Sequence, residues 1–235
     1  MPLTGALVNA AAIVLCGALG LLFRKGMKEK YMDAVITGVA LIVLALGVAN
    51  VMKTTQALVT VVSVILGTLL GTWLNIDRGL VRLGERLQTR MRGAGSFAEG
   101  FSSCTLLYCV GAMAITGSIQ GGIENDHSII FIKSVMDGVT AIFFASKLGV
   151  GVIASAIPVL LYQGGIALAA SALRPLLGDA LVSEMAAVGG VALMALSINM
   201  LGIKKLEVAN ILPAIFLPIA VMPVVEWVLG LLSNT

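Results

Sequence analysis

Charge is scarce in this sequence, and that scarcity excludes most classes of soluble protein. Of the 235 residues, 11% are charged and 59% are hydrophobic, and the mean hydropathy is +1.05. A soluble domain carries about 25% charged residues. The apolar residues come in runs of about 20, enough to cross about 30 Å of hydrocarbon. We therefore predict an all-α, polytopic helical membrane protein, folded as a single membrane domain over residues 1–235 and surrounded by the lipid bilayer.

Histidine and cysteine are also rare, which limits the chemistry that the chain can carry. The single histidine, His127, cannot form a metal site by itself. The three cysteines, Cys16, Cys104 and Cys109, lie in apolar runs at spacings that fit neither a zinc site nor a disulfide framework. We interpret them as small apolar packing residues. With no nucleophile motif and no paired acids on a loop, we predict that the protein is not an enzyme and has no cofactor and no metal.

Hydropathy predicts eight membrane spans. They are Leu3–Phe23, Asp33–Met52, Thr55–Asn75, Gly100–Gln120, Ser128–Ser146, Leu148–Leu173, Glu184–Ile203 and Glu207–Leu231. The first run is long for a signal sequence and has no basic region before it, so we expect it to be a retained span. Between spans three and four, the hydrophilic segment Asp77–Glu99 carries five arginines among spaced apolar residues. It is either an amphipathic helix at the cytoplasmic surface or a basic loop.

The distribution of charge predicts the topology. The positive net charge of +3 arises from basic residues in short loops beside apolar runs, which is typical of a membrane protein and does not indicate a nucleic-acid partner. Placing the loops after spans one, three, five and seven in the cytoplasm puts twelve of the 15 basic residues there. The opposite loops carry Glu124, Asp126, Asp179 and Glu184. Both termini are then extracytoplasmic, and Ser128–Ser146 must cross the bilayer.

A weak internal similarity suggests inverted repeats. The segment "GVALIVLALGVANVMK", which begins at Gly38, resembles "GVALMALSINMLGIKK", which begins at Gly190. The two segments are 152 residues apart, and the same offset aligns spans one to three with spans six to eight, in opposite orientations. This predicts a 3+2+3 arrangement, as in many secondary transporters: repeat A over 3–75, a linker over 77–99, central spans over 100–146 and repeat B over 148–231. Chance similarity between apolar sequences is the alternative.

Two opposite charges lie inside the fifth span. In "SIIFIKSVMDGVTAIFFA", Lys133 and Asp137 are four residues apart and share one helix face. A charge at the bilayer centre costs about 2.5–3.5 kcal/mol on insertion scales. Lysine before aspartate is the less favourable order for a helical pair, which argues against a purely local role. The pair is either the centre of a binding site or a buried ion pair that fixes helix packing.

Other polar side chains in the apolar runs extend the candidate site. We predict that Lys133 and Asp137 bind a solute or ion together with Ser118, Gln120, Ser134, Asn9, Gln163 and Asn210. Each amide could instead join two helices. Gly117–Gly122 could break span four or allow close helix packing, whereas Gly67 and Gly71 favour packing. Prolines in span eight predict a kink. Asp126 or Ser128 could cap the fifth span, with His127 at the interface.

Three segments resemble one known family. "GSIQGGIENDHSIIFIKSVMDGVTAIFFASKLGVGVIASAIPVLLYQGG", "NAAAIVLCGALG" and "VANILPA" are similar to the YqgA-like bacterial membrane-protein family, a domain of unknown function. The resemblance covers essentially the whole chain and implies roles for Ser118, Lys133 and Asp137 and for the amides Asn9, Gln163 and Asn210. Here "ENDHS" replaces a more usual glycine–aspartate–proline–serine, which leaves the role of His127 open. The resemblance implies no activity.

Two functions follow from these patterns. The first is a small-solute or ion transporter or channel, in the bacterial plasma membrane, whose polar site surrounds Lys133 and Asp137. The second is a structural or regulatory membrane protein that uses the same residues for packing alone. Abundant glycine and alanine would allow a homodimer through small-residue packing.

Overall fold

The computed structural model describes residues 1–24, 29–90, 97–110, 112–173 and 178–233, and throughout these residues the regular secondary structure is helical. The elements are α1 Thr4–Arg24, α2 Glu29–Val51, α3 Ala57–Leu74, α4 Ile76–Arg90, α5 Phe97–Cys109, α6 Ala112–Ile123, α7 Ser128–Leu148, α8 Gly151–Ala154, α9 Ala156–Leu173, α10 Asp179–Met200, the 3₁₀ helix η1 Val208–Phe216 and α11 Pro218–Ser233. The predicted all-α class is confirmed.

Six described segments are long and apolar enough to cross a membrane. They are Thr4–Phe23, Asp33–Val51, Ala57–Leu74, Ser128–Leu148, Gly151–Ala170 and Asp179–Met200. Two bent pairs, α5 with α6 and η1 with α11, raise the number to eight if each pair crosses. The prediction of about eight spans therefore agrees with the described helices. The side of the membrane on which the termini lie and the repeat boundaries stay predictions.

Two predicted spans are broken rather than continuous. The bend between α5 and α6 is 62°, and the bend between η1 and α11 is 57°. The second follows from the sequence, because Pro213 lies inside η1 and Pro218 begins α11, and each lacks a backbone donor. The first bend lies before Met113, so of the two alternatives for Gly117–Gly122, a break in the span is wrong. These glycines are helical in α6.

The glycines of α6 serve close packing instead. A Cβ at Gly122 would overlap the carbonyl of Ala167 on α9, and a Cβ at Gly117 would meet Ile130 on α7. The same device joins α3 to η1, where Cβ atoms at Gly67 and Gly71 would overlap Ala214 and Asn210. Small residues let helix backbones approach closely in membranes. The packing interpretation of Gly67 and Gly71 is confirmed.

The core is built from pairs of helices that are distant in sequence. α1 packs against α7, α2 against α10, α3 against η1, and α6 against α9. Cys104 and Cys109 are buried within this core, Cys16 packs against it, and all three are unpaired, as the packing interpretation predicted. The lipid-compatible outer surface is made by the many apolar side chains that face away from these contacts.

The basic segment after α3 is helical where the structure describes it. Asn75 ends α3 in the left-handed conformation, with φ of 54°, and α4 begins at the next residue. Gly84 faces Ala98 of α5, so α4 is anchored on the bundle. The basic-loop alternative is therefore wrong for residues 76–90, whereas contact of α4 with a lipid surface stays a prediction. Residues 91–96, and the basic residues Lys25, Lys28 and Arg174, lie outside the described residues.

Candidate functional site

The helix that carries the intramembrane charges has a defined start. The Asp126 carboxylate accepts hydrogen bonds from the Ser128 backbone N–H at 2.9 Å and from the Ser128 hydroxyl at 2.6 Å. These donors hold the pKa of the Asp126 carboxyl below its ordinary value of 3.8. His127 occupies the N-cap position but makes no side-chain cap bond; its ring instead lies 5.9 Å from that of Phe131. Asp126 thus caps α7, one of the two alternatives that the sequence left open.

Lys133 and Asp137 form an ion pair on the buried face of α7. The Lys133 ammonium donates to Asp137 Oδ2, and both side chains are below 10% exposed. Asp137 Oδ2 also accepts a hydrogen bond of 3.0 Å from Asn9 Nδ2 on α1. Asn9 Nδ2 in turn donates to Gln163 Oε1 on α9 at 3.1 Å. Three spans far apart in sequence therefore meet in one polar network, as the candidate site required.

The network is buried but not fully satisfied. Asn9 and Gln163 are 0% exposed, yet Asn9 Oδ1 and Gln163 Nε2 have no hydrogen-bond partner among the residues that the structure describes. A buried polar group without a hydrogen bond costs about 1–3 kcal/mol. Such atoms in a native protein call for a specific explanation, and a bound ion, solute or water is among the usual ones. The orphaned amide atoms mark the network as one that can take an additional polar ligand.

Tyr108, which the sequence analysis did not single out, also packs beside Lys133. The ring centroid of Tyr108 on α5 lies 5.9 Å from Lys133 Nζ, within the range of a cation–π contact. Tyr108 is fully buried, and its hydroxyl has no hydrogen-bond partner that meets ordinary geometry. In sequence it is one aromatic residue in an apolar run, so no local signal separates it from core packing.

The ion pair also lines a cavity. A space of about 330 Å³ lies between α2, α7 and α10 and the bent pair α5–α6, and both Lys133 and Asp137 contribute to its wall. Thr140, one turn beyond Asp137, lines it too, but its hydroxyl is used in hydrogen bonds to the carbonyls of Met136 and Asp137. Most of the remaining wall is apolar. The charged pair thus contacts the buried Asn9–Gln163 network on one side and the cavity on the other.

The other predicted site residues do not join this network. Ser134 is buried, but its hydroxyl donates to the Ile130 carbonyl at 2.7 Å in its own helix. Ser118 is buried on α6 with an unpartnered hydroxyl, and Gln120 is half-buried on the same helix. Asn210 belongs to a different contact, because its Oδ1 accepts the Asp77 backbone N–H of α4 at 2.9 Å. The structure therefore brings Asn9, Lys133, Asp137 and Gln163 together, whereas Ser118, Gln120, Ser134 and Asn210 lie outside their network. Binding of a solute or ion by these residues stays a prediction.

A second buried carboxylate was misplaced by sequence reasoning. Glu184, predicted to lie in a loop at the edge of span seven, is 0% exposed inside α10, which begins at Asp179. Its carboxylate accepts five hydrogen bonds of 2.6–3.1 Å. The donors are the Thr54, Thr55 and Thr60 hydroxyls and the Thr55 and Gln56 backbone N–H groups. The length of the apolar run assigned Glu184 to the loop, because an acid usually ends a hydrophobic segment. Its hydrogen-bond partners come from the α2–α3 loop and from Thr60 in the first turn of α3.

The comparisons with known proteins agree with this architecture. The profile of the family described as "Protein of unknown function (DUF554)" matches residues 4–223. The chain belongs to this family. The "Uncharacterized membrane protein YdfK" of Bacillus subtilis (strain 168) is 28% identical over 226 residues, covering 94% of this chain and 96% of that protein. The "Uncharacterized protein YqgA" of Escherichia coli (strain K12) is 31% identical over 219 residues, covering 91% and 93%.

The resemblance inferred from sequence motifs is therefore confirmed, and the DUF554 protein described here is a membrane protein. No solved structure matches the chain. The names of these relatives state no activity, so the geometry of the site is the basis for inferring a function.

Proposed function

We propose that this DUF554 protein is a secondary transporter of a small solute or ion in the bacterial plasma membrane, without enzymatic activity. The observation that carries the proposal is the buried network of Asn9, Lys133, Asp137 and Gln163, which joins three spans and lines a cavity. Ionisable residues inside membrane spans are costly and commonly mark ion or substrate pathways.

The geometry suggests how the site would work. The Lys133 ammonium already occupies Asp137 Oδ2, so a proton or cation that binds Asp137 must compete with it. When Asp137 takes up a proton, the ion pair loses its attraction and the Lys133 ammonium is free to hold an anionic group. Asn9 links this event to α1 and, through Gln163, to α9. One local charge exchange would then alter contacts between three spans.

The helix arrangement supports a rocking mechanism. The repeat prediction pairs span one with span six, span two with span seven and span three with span eight. In the structure α1 packs against α9, α2 against α10, and α3 against η1. Contacts between equivalent elements occur where such elements lie close to a pseudo-two-fold axis, and rocking of one repeat against the other is a common basis of alternating access.

Ion flux in proteoliposomes tests the proposal. We expect purified protein to dissipate an imposed pH gradient, read by an enclosed pH-sensitive dye, when a panel of small anions and cations is supplied outside. Asp137→Asn should abolish this flux. Asp33→Asn is the matched control, because Asp33 is an exposed acid paired with Lys147 outside the network. Equal flux from the Asp137→Asn and wild-type proteins would refute the assigned site.

A structural or regulatory role is the second candidate. It is favoured by the complete burial of Asn9 and Gln163, since both side chains lie between packed helices. Under this alternative the polar residues only fix the arrangement of α1, α7 and α9, and an apolar replacement of the ion pair should preserve function.

A further inference from the structure

The cavity beside the ion pair is a groove that opens sideways between α2 and α7. Its residues Ile42, Met136 and Val139 are 61%, 42% and 49% exposed, so its mouth lies on the apolar outer surface of the bundle. α2 packs mainly on α10, and α7 packs mainly on α1. The Asp33–Lys147 ion pair joins α2 to α7 toward the start of α2. The surface between them is therefore accessible from the hydrocarbon.

The charge along this groove is unbalanced. Lys133 and Asp137 neutralise one another on its inner wall. At the end near the α2–α3 loop, the wall includes Asn50 and Lys53, and the Lys53 ammonium bonds only to the neutral Asn50 Oδ1, at 3.1 Å. Among the described residues, no carboxylate forms a salt bridge with Lys53. The groove is thus an aliphatic slot with one uncompensated cation at its end.

We propose that this groove binds a single-chain amphipathic anion, a fatty-acid-like monocarboxylate that enters from the bilayer. Its chain lies along the aliphatic walls, and its carboxylate pairs with Lys53. A wholly polar solute would leave the apolar walls unmatched, and a pure hydrocarbon would make no use of the exposed Lys53 ammonium at the end of the groove. The volume of about 330 Å³ is near the lower end of the range of about 300–1,000 Å³ for small-molecule sites, which suits one chain rather than two.

We also identify this ligand as the transported substrate, and that step rests on the proposed function. Only if Lys133 and Asp137 form a transport site does the bound fatty acid lie beside the residues that move it. Lys133, Asp137 and Lys53 all line the groove, so an anion held at Lys53 shares the groove with the Lys133 ammonium. Protonation of Asp137 would free that ammonium to receive the carboxylate. Binding at Lys53 itself requires no transport.

Binding of cis-parinaric acid, a fluorescent single-chain carboxylate, tests the groove. The protein is held in zwitterionic phosphatidylcholine nanodiscs, and saturable fluorescence enhancement is compared with that of empty nanodiscs. We expect Val139→Phe, which fills the groove, to abolish the saturable component. Val135→Phe is the matched control, because Val135 is on the same helix, is 67% exposed and does not line the groove. Equal binding by the two variants would mean simple partitioning into lipid and would overturn the proposal.

The anionic head is tested separately. Lys53→Gln should weaken binding about tenfold, the loss expected when a charge-assisted contact is removed. The methyl ester of the probe should bind wild-type protein about as weakly as the acid binds the variant. If neither change weakens binding, the site holds only hydrocarbon and the proposed ligand class is wrong. If Val139→Phe instead converts a dimer to a monomer and the wild-type protein shows no saturable binding, a second copy covers the groove and the proposal fails.

The two proposals fail in different ways. Asp137→Asn should lose ion flux but strengthen parinaric acid binding, since Lys53 is intact and the Lys133 ammonium on the groove wall loses its counterion. Saturable binding by a protein that shows no ion flux would support the groove as a binding site and refute the transporter proposal. Ion flux without saturable binding would support the transporter proposal and refute the amphipathic anion as its substrate.

Discussion

At the scale of single residues, the order of Lys133 and Asp137 is unfavourable, and the ion pair forms nonetheless. An i, i+4 pair contributes about 0.2–0.5 kcal/mol on a helix, and the effect of residue order is smaller still. Leaving either charge unpaired inside the bundle costs several kcal/mol. The cost of an unpaired charge therefore outweighs the effect of residue order, and Asn9 adds a further donor to the same carboxylate oxygen. Sequence order was a poor guide to whether these two residues pair.

The first prediction separates packing from function at this pair. Lys133→Met alone and Asp137→Leu alone should each lower stability by about 3–5 kcal/mol, because each leaves an uncompensated buried charge. The double variant should recover most of this loss. Thermal unfolding in detergent, followed by circular dichroism at 222 nm, measures the three variants. Additive losses in the double variant would contradict the energetic role of the pair.

The same double variant also discriminates the two candidate functions. A transporter should lose ion flux even when the double variant is as stable as the wild type. A packing protein should keep whatever function it has, because the replacement preserves the helix contacts. Each single variant alone is uninformative here, since instability and loss of chemistry would give the same result.

Glu184 supports a second prediction about single residues. Glu184→Ala should lower the unfolding temperature strongly, because five donors lose their acceptor and an unsatisfied buried polar group costs about 1–3 kcal/mol. Glu184→Gln should lie between the alanine variant and the wild type. Glu226→Gln is the control, since Glu226 is exposed and accepts one bond of 3.2 Å from Gln56. Similar losses from Glu184→Ala and Glu226→Gln would show that the α2–α3 loop does not depend on Glu184.

At the scale of elements, the sequence predicted the continuous spans better than the broken ones. Hydropathy over about 20 residues is a local property, so α1, α2, α3 and α7 could be placed within a few residues. The kink between η1 and α11 was visible in the prolines. The bend between α5 and α6 was not, because Gly117–Gly122 offers a stronger breaking pattern that tertiary packing overrides.

The sequence predicted which polar residues were candidates for the site, but not which of them meet in the folded protein. Polar residues in apolar runs are visible in any sequence, and Lys133, Asp137, Asn9 and Gln163 were all found in this way. Which of them meet depends on how α1, α7 and α9 pack, over separations of 128 and 154 residues. Asn210 carried the same local signal but binds the start of α4 instead.

The α3–η1 contact supports the third prediction. Gly71→Ala should destabilise the bundle by about 1–3 kcal/mol, the usual cost of overpacking, because the new Cβ would overlap the Asn210 carbonyl. Gly38→Ala is the matched control, since Gly38 also lies within a span and a Cβ there would meet nothing within 4 Å. Thermal unfolding in detergent compares the two variants. A loss at Gly38 equal to that at Gly71 would indicate a general effect of helix glycines.

At the scale of the whole molecule, the bent pair α5–α6 decides the topology. If it crosses the bilayer, Asn125 and α4 lie on opposite sides, as the charge distribution predicts. Asn125 and Lys204 are separated by the three spans Ser128–Leu148, Gly151–Ala170 and Asp179–Met200, so they lie on opposite sides in either case. If it returns to its starting side, Asn125 lies on the same side as α4. Both residues are exposed in loops between helices, so each can be replaced by cysteine without disturbing the core.

The fourth prediction follows from that arrangement. A membrane-impermeant maleimide should label Asn125→Cys in intact cells and Lys204→Cys only after permeabilisation. The parent protein reports the background from its native cysteines, of which Cys104 and Cys109 are buried. Protection of Asn125→Cys in intact cells, with labelling after permeabilisation, would mean that α5–α6 is re-entrant or that the orientation is reversed.

The spacing of Lys133 and Asp137 also bears on how the protein is made. When α7 leaves the ribosome, α9 has not been synthesised, and Gln163 is not yet present to complete the network. Each charge would add about 2.5–3.5 kcal/mol to insertion at the bilayer centre if it entered alone. Because the two charges lie one turn apart on the same helix, α7 carries its own counterion into the membrane. Its insertion need not wait for later helices, and Asn9 on the already synthesised α1 can then receive it.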